Sequence, residues 1–302
     1  MRIAHLSDLH LLSLEGAVPS RLLNKRFTGW VNLKLNRGHK HKPAPVHAAG
    51  AALRDLGVDH VVVTGDLTNL ALEQEFELVK TFLGGLGYPA DAISVVPGNH
   101  DAYTRGAHRS SRFKTYCAPY MTSDVDLGLA PGASFPFVRL RGPAAIIGLS
   151  SAVPRPPLVA SGEIGQPQLE ALGRALSHPD VAERTPVLLV HHPLHNPISR
   201  ARVLLEGLVD AEGLVAELGG LARGLVLHGH LHRRIHRTLA TRTGSIDAVG
   251  ATSSSLLHED ADKMAGFNVY DVTDDGAIAR IGAYRFDPIA GTFADAPVPR
   301  VA

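Results

Sequence analysis

Only one cysteine, Cys117, occurs in the 302 residues, so the sequence excludes an intramolecular disulfide and favours a reducing compartment. Neither sign of charge is in excess, since 30 Lys and Arg stand against 29 Asp and Glu, and we therefore expect no nucleic-acid partner. No apolar run approaches the roughly 18 residues of a membrane-spanning helix. Asp8 and His10 interrupt the N-terminus before the apolar core of a signal peptide could form. These absences predict a cytoplasmic protein.

Short runs rich in Val, Ile and Leu recur along the sequence, with the composition of strands that are buried on both faces. They are residues 2–7, 60–64, 93–96, 144–150, 187–190 and 225–228. Helical patterns separate several of these runs, at residues 46–56, 70–86, 167–176 and 210–221. Asn69 and Asp210 are the expected N-caps of two of the helices. This alternation predicts an α/β fold with open sheets.

The last third of the sequence has a different pattern. Residues 245–251, 267–272 and 278–285 are typical of sequential strands, and the turn residues 274–276 between the last two predict antiparallel pairing. Residues 287–302 contain three prolines and are predicted to form an irregular tail. We therefore predict one domain over residues 1–286, with two packed sheets.

Polar clusters follow five of the predicted strands, and many of the 17 histidines lie in them. They are Asp8-Leu9-His10, Gly65-Asp66-Leu67-Thr68-Asn69, Pro97-Gly98-Asn99-His100-Asp101, His191-His192-Pro193 and His228-Gly229-His230-Leu231-His232. Ligands of α/β folds bind beyond the carboxyl ends of strands. One residue separates Asp8 from His10 and His230 from His232, which would return both side chains to one side of an extended segment. Carboxylate, amide oxygen and imidazole together suit Mn²⁺, Fe²⁺ or Zn²⁺.

These five clusters, in this order, resemble those of the calcineurin-like binuclear metallophosphoesterases. The resemblance extends from Asp8 to His232, about three quarters of the chain. It implies two mixed β-sheets packed face to face as a sandwich, with flanking helices, and two divalent metal ions per chain. One metal would be bound by Asp8, His10, Asp66 and His232, and the other by Asp66, Asn99, His191 and His230.

The mechanism that this resemblance implies is in-line attack on phosphorus by a metal-bridging hydroxide. His100 would stabilise the developing charge or protonate the leaving oxygen, and Asp101 would orient His100. Of the neighbouring pair His191 and His192, the resemblance favours His191 as the ligand, with His192 near the metal or facing the substrate. His228 is expected to be a buried histidine that does not bind metal.

The residues within the motifs also help to predict the substrate class. Protein Ser/Thr phosphatases of the family carry GDxxDRG and GNHE, whereas this sequence has GDLTN and GNHD. The motifs GDLTN, VPGNHD, HHP and GHLH are similar to those of bacterial class III cyclic-nucleotide phosphodiesterases. A phosphodiesterase is therefore the first function predicted. A non-catalytic scaffold of the same fold is disfavoured, because all seven expected ligands and His100 are present.

A basic segment supplies an alternative. Residues 16–54 contain eight Lys or Arg and no acidic residue, and Leu23, Phe27 and Trp30 fall at helical spacing. A basic amphipathic helix within an insertion of about residues 16–45 is typical of a membrane surface. It resembles the insertion of metallophosphoesterases that hydrolyse UDP-2,3-diacylglucosamine. The alternative is therefore a pyrophosphatase acting on a lipid-linked nucleotide sugar, peripheral at the inner, anionic membrane face. An ordinary cap helix packed on the domain would explain the same pattern.

Overall fold

The computed structural model describes residues 1–13, 40–102, 104, 106, 109–195 and 199–301. Most of the predicted amphipathic segment at residues 21–42 lies outside these described residues, so its helix and its packing stay predictions. Among the helices of the described ranges, none is long and apolar enough to cross a membrane.

Twelve strands occur in the described residues. In chain order they are β1 (Arg2–Leu6), β2 (His60–Thr64), β3 (Ile93–Val96), β4 (Phe137–Arg141), β5 (Ala144–Gly148), β6 (Thr185–Leu189), β7 (Leu225–His228), β8 (Ile235–Ala240), β9 (Ser245–Gly250), β10 (Gly266–Val272), β11 (Ile278–Asp287) and β12 (Thr292–Ala296). The α-helices of the same ranges are α1 (Pro43–Asp55), α2 (Glu73–Gly85), α3 (Arg112–Cys117), α4 (Gln166–Leu176), α5 (Pro179–Ala182), α6 (Arg200–Glu206) and α7 (Ala211–Leu218). Short 3-10 helices cover Ala90–Ala92 and Ala118–Tyr120.

The strands form two six-stranded mixed sheets. The first sheet has the order β12-β11-β10-β1-β2-β3, with β1, β2 and β3 parallel and the other pairs antiparallel. The second has the order β4-β5-β6-β7-β9-β8, with β5, β6, β7 and β9 parallel and the edge strands antiparallel. The predicted α/β sandwich of two mixed sheets is confirmed.

Alternating side chains of the second sheet divide between two cores. Ile146 and Val187 share one core with Ile3 and Val62, which lie on one face of the first sheet, so this part of the core lies between the sheets. Ile147, Leu188 and Val226 face the other way and pack with helices α4 and α7. Strands buried on both faces read as continuous apolar runs, which explains why the sequence predicts the central strands well.

Three strands were not predicted, and each lies at a sheet edge. One of them corrects the prediction of an irregular tail over residues 287–302, because β12 pairs with β11 in an antiparallel register. The ring of Phe293 on β12 also packs against Phe267, with centroids 4.9 Å apart. The C-terminal residues through Ala296 therefore belong to the first sheet.

Of the two predicted N-caps, Asn69 is wrong, whereas Asp210 is the N-cap residue of its helix but makes no capping bond with its side chain. Helix α2 begins at Glu73, and the Asn69 amide instead donates to the carbonyl of His10 at 2.5 Å. Asp210 does precede helix α7, but its carboxylate accepts hydrogen bonds from the amides of Ile164 and Gly165. Both side chains tie neighbouring loops together, and a loop bound in this way is a stronger competitor for the side chain than the helix end.

Candidate metal centre

The loops after β1 and β2 run side by side beyond the ends of the strands. Asp8 N donates to Gly65 O at 2.9 Å, His10 N to Asp66 O at 3.0 Å and Leu11 N to Leu67 O at 2.9 Å. These backbone bonds continue the parallel β1–β2 pairing into the loops. These main-chain bonds, together with the bond from the Asn69 amide to the His10 carbonyl, fix the first two polar clusters relative to each other.

Five of the seven predicted ligands have left-handed backbone: φ is 51° at Asp8, 47° at His10, 50° at Asp66, 69° at His230 and 49° at His232. This corrects the expectation that Asp8–His10 and His230–His232 are extended segments. A left-handed residue other than glycine costs roughly 1–2 kcal/mol and turns its side chain away from the strand direction. Such strain concentrated at one place is typical of a functional site.

Three glycines at the centre are required by close approach. Gly65 has a φ of 88°, and a Cβ there would lie 2.5 Å from Gly98 N. A Cβ on Gly98 would collide with the Asp66 carboxylate, and one on Gly229 with Ser7 Oγ and the Asp8 carboxylate. Only glycine therefore fits in these three turns.

The first group of ligand atoms surrounds the end of β1. His10 Nε2 and His232 Nε2 lie 3.1 Å apart, and His232 Nε2 lies 3.1 Å from Asp8 Oδ1. Asp8 Oδ1 is buried and has no hydrogen bond of normal geometry among the described residues. A buried carboxylate oxygen is costly unless it is paired. Atoms about 3 Å apart around one point are spaced as ligands of a cation whose bonds are about 2 Å long.

The second group lies beside the first. Asn99 Oδ1 is 3.1 Å from His191 Nε2 and 3.1 Å from His230 Nδ1. The other ring nitrogens bond to carbonyl oxygens, His191 Nδ1 to Thr64 O at 2.7 Å and His230 Nε2 to Glu206 O at 2.8 Å. Because a carbonyl only accepts, these nitrogens carry the protons, and the nitrogens near Asn99 present lone pairs. Burial lowers the pKa of His230 to about 4, which keeps its ring in the neutral, metal-binding form.

Asp66 lies between the two groups. Its carboxylate is within 4.8 Å of the ligand atoms of Asp8 and His191, and likewise of His10 and His100. Burial would raise its pKa, but His191 and His100 hold it well below the usual range. The opposing charge of Asp66 overcomes burial at His191 and raises the pKa of His191 to about 9. A divalent cation would replace that proton, because a ligand must be deprotonated.

The structure distinguishes the two neighbouring histidines after β6. His191 Nε2 faces Asn99 and also lies 3.5 Å from Asp66 Oδ2. Both nitrogens of His192 are bonded elsewhere, Nδ1 to Ser151 Oγ and Nε2 to Ala160 O, each at 2.8 Å. His192 therefore packs beside the centre, while His191 points into it. His228 is buried, as expected, with Nδ1 3.2 Å from Gly229 O.

The expected pairing of Asp101 with His100 is wrong. His100 Nδ1 instead bonds to the carbonyl of Asn69 at 2.7 Å. The Asp101 carboxylate accepts from the amides of Gly98 and Thr68, at 2.9 and 3.0 Å, and so braces the two loops that carry Asn99 and Asp66. Burial and the charge of Asp66 raise the pKa of Asp101 to about 7.

Sequence reasoning missed two contributors to the site. The His41 ring lies 4.8 Å from that of His10, and its Nδ1 bonds to Ser255 Oγ at 2.8 Å. Ser253 Oγ donates to the carbonyl of Asp8 at 2.6 Å. No motif surrounds His41, but the run Thr252–Ser255 directly after a predicted strand was an available signal.

The structure thus combines a two-sheet sandwich with histidines and carboxylates that cluster beyond the strand ends as a candidate metal centre. Residues 1–234 match the calcineurin-like phosphoesterase family, and the chain belongs to that family. The predicted family and phosphoester hydrolase class are thus confirmed.

Individual relatives are more distant. The chain is 33% identical over 101 residues to the glycerophosphodiester phosphodiesterase GpdQ of Enterobacter lignolyticus (strain SCF1), a match that spans 33% of this chain and only 30% of that protein. A dimetal phosphatase from Danio rerio superposes with a TM-score of 0.59 at 14% identity, over 94% of this chain and 95% of that one. Purple acid phosphatase PPD1 from yellow lupin (Lupinus luteus) seeds gives 0.57 at 12% identity, over 98% of this chain and 52% of that one. These structural similarities establish the fold alone.

Proposed function

We propose that this protein hydrolyses phosphodiesters at a centre of two divalent metal ions. The observation that supports it best is the arrangement of two groups of nitrogen and oxygen ligand atoms on either side of the buried Asp66 carboxylate. The relative named as a glycerophosphodiester phosphodiesterase supports a diester rather than a monoester. The metal could be Mn²⁺, Fe²⁺ or Zn²⁺ on the chemistry of the donors.

Asp66 would be a ligand of both metals. Asp8, His10 and His232 would hold the first metal with it. Asn99, His191 and His230 would hold the second. When bound, two divalent cations lower the pKa of a water molecule and neutralise charge on the phosphoryl group.

His100 is the proposed acid for the leaving oxygen. Its Nδ1 bond to the Asn69 carbonyl orients the ring and stabilises the protonated form, so that Nε2 is the nitrogen that donates. Asp101 acts indirectly, by bracing the Asp66 and Asn99 loops.

The cavity over the centre fits an anionic substrate. Its volume is about 440 Å³, and Asp66, Asn99 and His100 lie on its wall. Lys40 and Lys263 line the same cavity and supply positive charge for phosphoryl oxygens.

A second cavity favours a second candidate function. It has a volume of about 590 Å³ and lies between α1 and α2, with apolar walls that include Leu9, Leu78 and Phe82. It shares His41 with the cavity over the centre, so one substrate could occupy both. An apolar group next to the scissile phosphate suits a pyrophosphatase acting on a lipid-linked nucleotide sugar such as UDP-2,3-diacylglucosamine. This candidate also implies peripheral association with anionic membranes.

The test combines metal analysis with a substrate panel in Mn²⁺: bis(p-nitrophenyl) phosphate, cyclic nucleotides, glycerophosphodiesters and UDP-2,3-diacylglucosamine. About two metals per chain and turnover of a diester are expected. A protein that binds metal but cleaves no member of the panel would instead be a scaffold.

Leu78→Lys separates the two candidates, because Leu78 is 41% exposed on the wall of the apolar cavity. The variant should lose activity only on the lipid-linked substrate. Val215→Lys, at an equally exposed position on α7, is the matched control. Flotation with anionic and neutral liposomes checks the membrane association.

A further inference from the structure

A line of buried polar side chains leads through the first sheet to Asp8. We call it the buried network; its members are Asn268, Tyr270, His5, Thr64 and Ser7, and each is fully buried. Strand pairing explains their alignment, since His5 on β1 lies opposite Asn268 on β10 and β2 adjoins β1 on its other side. Nothing in the proposed reaction requires polar groups at these core positions.

The direction of each hydrogen bond in the buried network can be deduced by starting from Asp8, the proposed metal ligand. An ionised carboxylate only accepts, so Ser7 Oγ donates its proton to Asp8 Oδ2 at 2.6 Å. Because the Ser7 hydroxyl proton is used in that bond, Ser7 Oγ can only accept from Thr64. Thr64 Oγ1 therefore donates to Ser7 Oγ at 2.9 Å. Thr64 must then accept a hydrogen bond from its remaining neighbour.

That neighbour is His5, whose Nε2 lies 2.8 Å from Thr64 Oγ1 and therefore carries the proton. Its Nδ1 accepts from the Tyr270 hydroxyl at 3.0 Å, and that hydroxyl accepts from Asn268 Nδ2 at 3.1 Å. Each donor thus points toward Asp8. The arrangement requires a neutral His5, and burial lowers the pKa of His5 to about 3.

The buried network donates a hydrogen bond to one carboxylate oxygen of Asp8 and none to the other. Asp8 Oδ2 accepts from Ser7 Oγ and, at 3.1 Å, from the amide of His230. Asp8 Oδ1, by contrast, has no hydrogen bond of normal geometry and lies 3.1 Å from His232 Nε2. Hydrogen bonds that point the same way polarise one another, so Ser7 is a stronger donor than an isolated hydroxyl.

We propose that the buried network positions Asp8 and thereby raises the affinity of the metal ion that Asp8 binds. The inference rests on the proposed function, because it assumes that Asp8 is a metal ligand. The five members are positioning residues: they act through Asp8 and touch neither metal nor substrate. Partners that orient ligands in this way typically change metal affinity by about 10–100-fold.

The experiment is calorimetric titration of the metal-free full-length protein with Mn²⁺. Ser7→Ala removes the donor to Asp8, and Tyr270→Phe removes the hydroxyl that donates to His5 while keeping the shape of the ring. We expect Ser7→Ala to weaken one of the two ions about tenfold or more, Tyr270→Phe to weaken the same ion less, and the other ion to keep its affinity.

Two matched controls come from the same sheet. Ser94→Ala breaks a buried Ser–His bond of 2.9 Å to His60 that does not lead to a ligand. Tyr284→Phe removes a hydroxyl from β11 outside the network. Both should bind the two ions as the wild type does, which separates metal positioning from a general loss of core stability.

The outcomes separate the two proposals. If the wild type binds two ions and both Ser7→Ala and Tyr270→Phe keep wild-type affinities, the inference about the buried network is wrong. The proposed function is then unaffected. A wild type that binds no metal overturns the proposed function and the inference with it. Independently of metal, the ¹⁵N shifts of the His5 ring should report a proton on Nε2; a proton on Nδ1 would contradict the deduced direction.

Discussion

The two sheets bring unlike halves of the candidate centre together. The loops of the first sheet supply every oxygen ligand in the proposed set, from Asp8, Asp66 and Asn99. The loops of the second sheet supply imidazoles only, from His191 and His230 together with His232. The first sheet therefore contributes the negative charge, and the second contributes imidazole nitrogens; carbonyl oxygens orient the rings of His191 and His230.

The interiors of the sheets differ in the same way. Strands β1 and β2 carry buried hydrogen-bonded side chains such as His5, His60 and Thr64. Strands β6 and β7 are mostly apolar, with side chains such as Leu188 and Val226, and their buried polar residues, Thr185 and His228, lie at the strand ends.

We infer that the carboxylates depend on hydrogen bonds from side chains of the strands beneath them, such as Ser7 and Thr64. The rings of His191 and His230 are instead oriented by main-chain carbonyls. Removing a group from the first sheet should accordingly have the larger effect.

The largest effect is expected for Asp66→Ala. Both metals lose their shared ligand, so metal content should fall for both sites and turnover by at least about 10³-fold. Metal analysis and a bis(p-nitrophenyl) phosphate assay measure the two losses. Asp247→Ala, which removes the 2.7 Å partner of His236 away from the centre, serves as control. Normal metal content in the Asp66→Ala variant would contradict the proposal that Asp66 binds two metals.

His100→Ala should keep both metals and lose about 10²–10⁴-fold in turnover, the usual contribution of a general acid. The loss should be smaller for p-nitrophenolate, a leaving group that needs little protonation, than for an alkyl diester. Equal losses on both substrates would show that His100 only positions the phosphate.

On the second sheet, His191→Ala should lower the occupancy of one metal, because His191 Nε2 faces Asn99 and Asp66. His192→Ala is the matched variant and should leave metal content nearly intact, since both its ring nitrogens bond to other groups. Metal analysis after dialysis measures both. The opposite result would exchange the roles of the two residues.

The smallest effect concerns stability, and it tests the polar interior of the first sheet. Burial, with the nearby charges of Arg139 and Arg141, lowers the pKa of His60 from 6.5 to about 3. Below about pH 6.5 the unfolded chain binds a proton that the folded protein does not bind until about pH 3. The free energy of unfolding is thus retained above pH 6.5 and falls as the pH drops toward 3.

Between pH 7 and pH 5 the contribution of His60 should fall by about 2 kcal/mol. Urea unfolding at the two pH values measures it, and His60→Gln should reduce the pH dependence by that amount. A His60→Gln protein with the wild-type pH dependence would contradict the assignment.

Sequence patterns predicted the centre of each sheet better than its edges. Strands such as β2 and β5 are buried along their whole length and read as unbroken apolar runs. The missed strands β4, β8 and β12 are edge strands, and His236 is the one buried residue in β8. An edge strand has one neighbour and one wetter side, so its composition overlaps with that of loops.

In the candidate centre, residue types were predictable and geometry was not. The motifs bring together Asp8, Asp66 and His191, as spacing after strands suggests. The left-handed backbone, the bond from His100 to Asn69 and the bracing role of Asp101 depend on which loops meet in three dimensions. His41 is brought to the site by its contact with Ser255, more than 200 residues away along the chain.

The loops after β1 and β2 are joined by their own backbone hydrogen bonds, and this affects how fast the site regains its metal after chelation. Main-chain bonds and the side chains of Ser253 and Asn69 hold the strained residues Asp8 and His10, so we expect the loops to keep their conformation when a chelator removes the metal. Activity removed by chelation should return on the timescale of mixing, without the slower step of refolding. Such a protein can lose and regain its metal repeatedly in a cell where metal supply fluctuates.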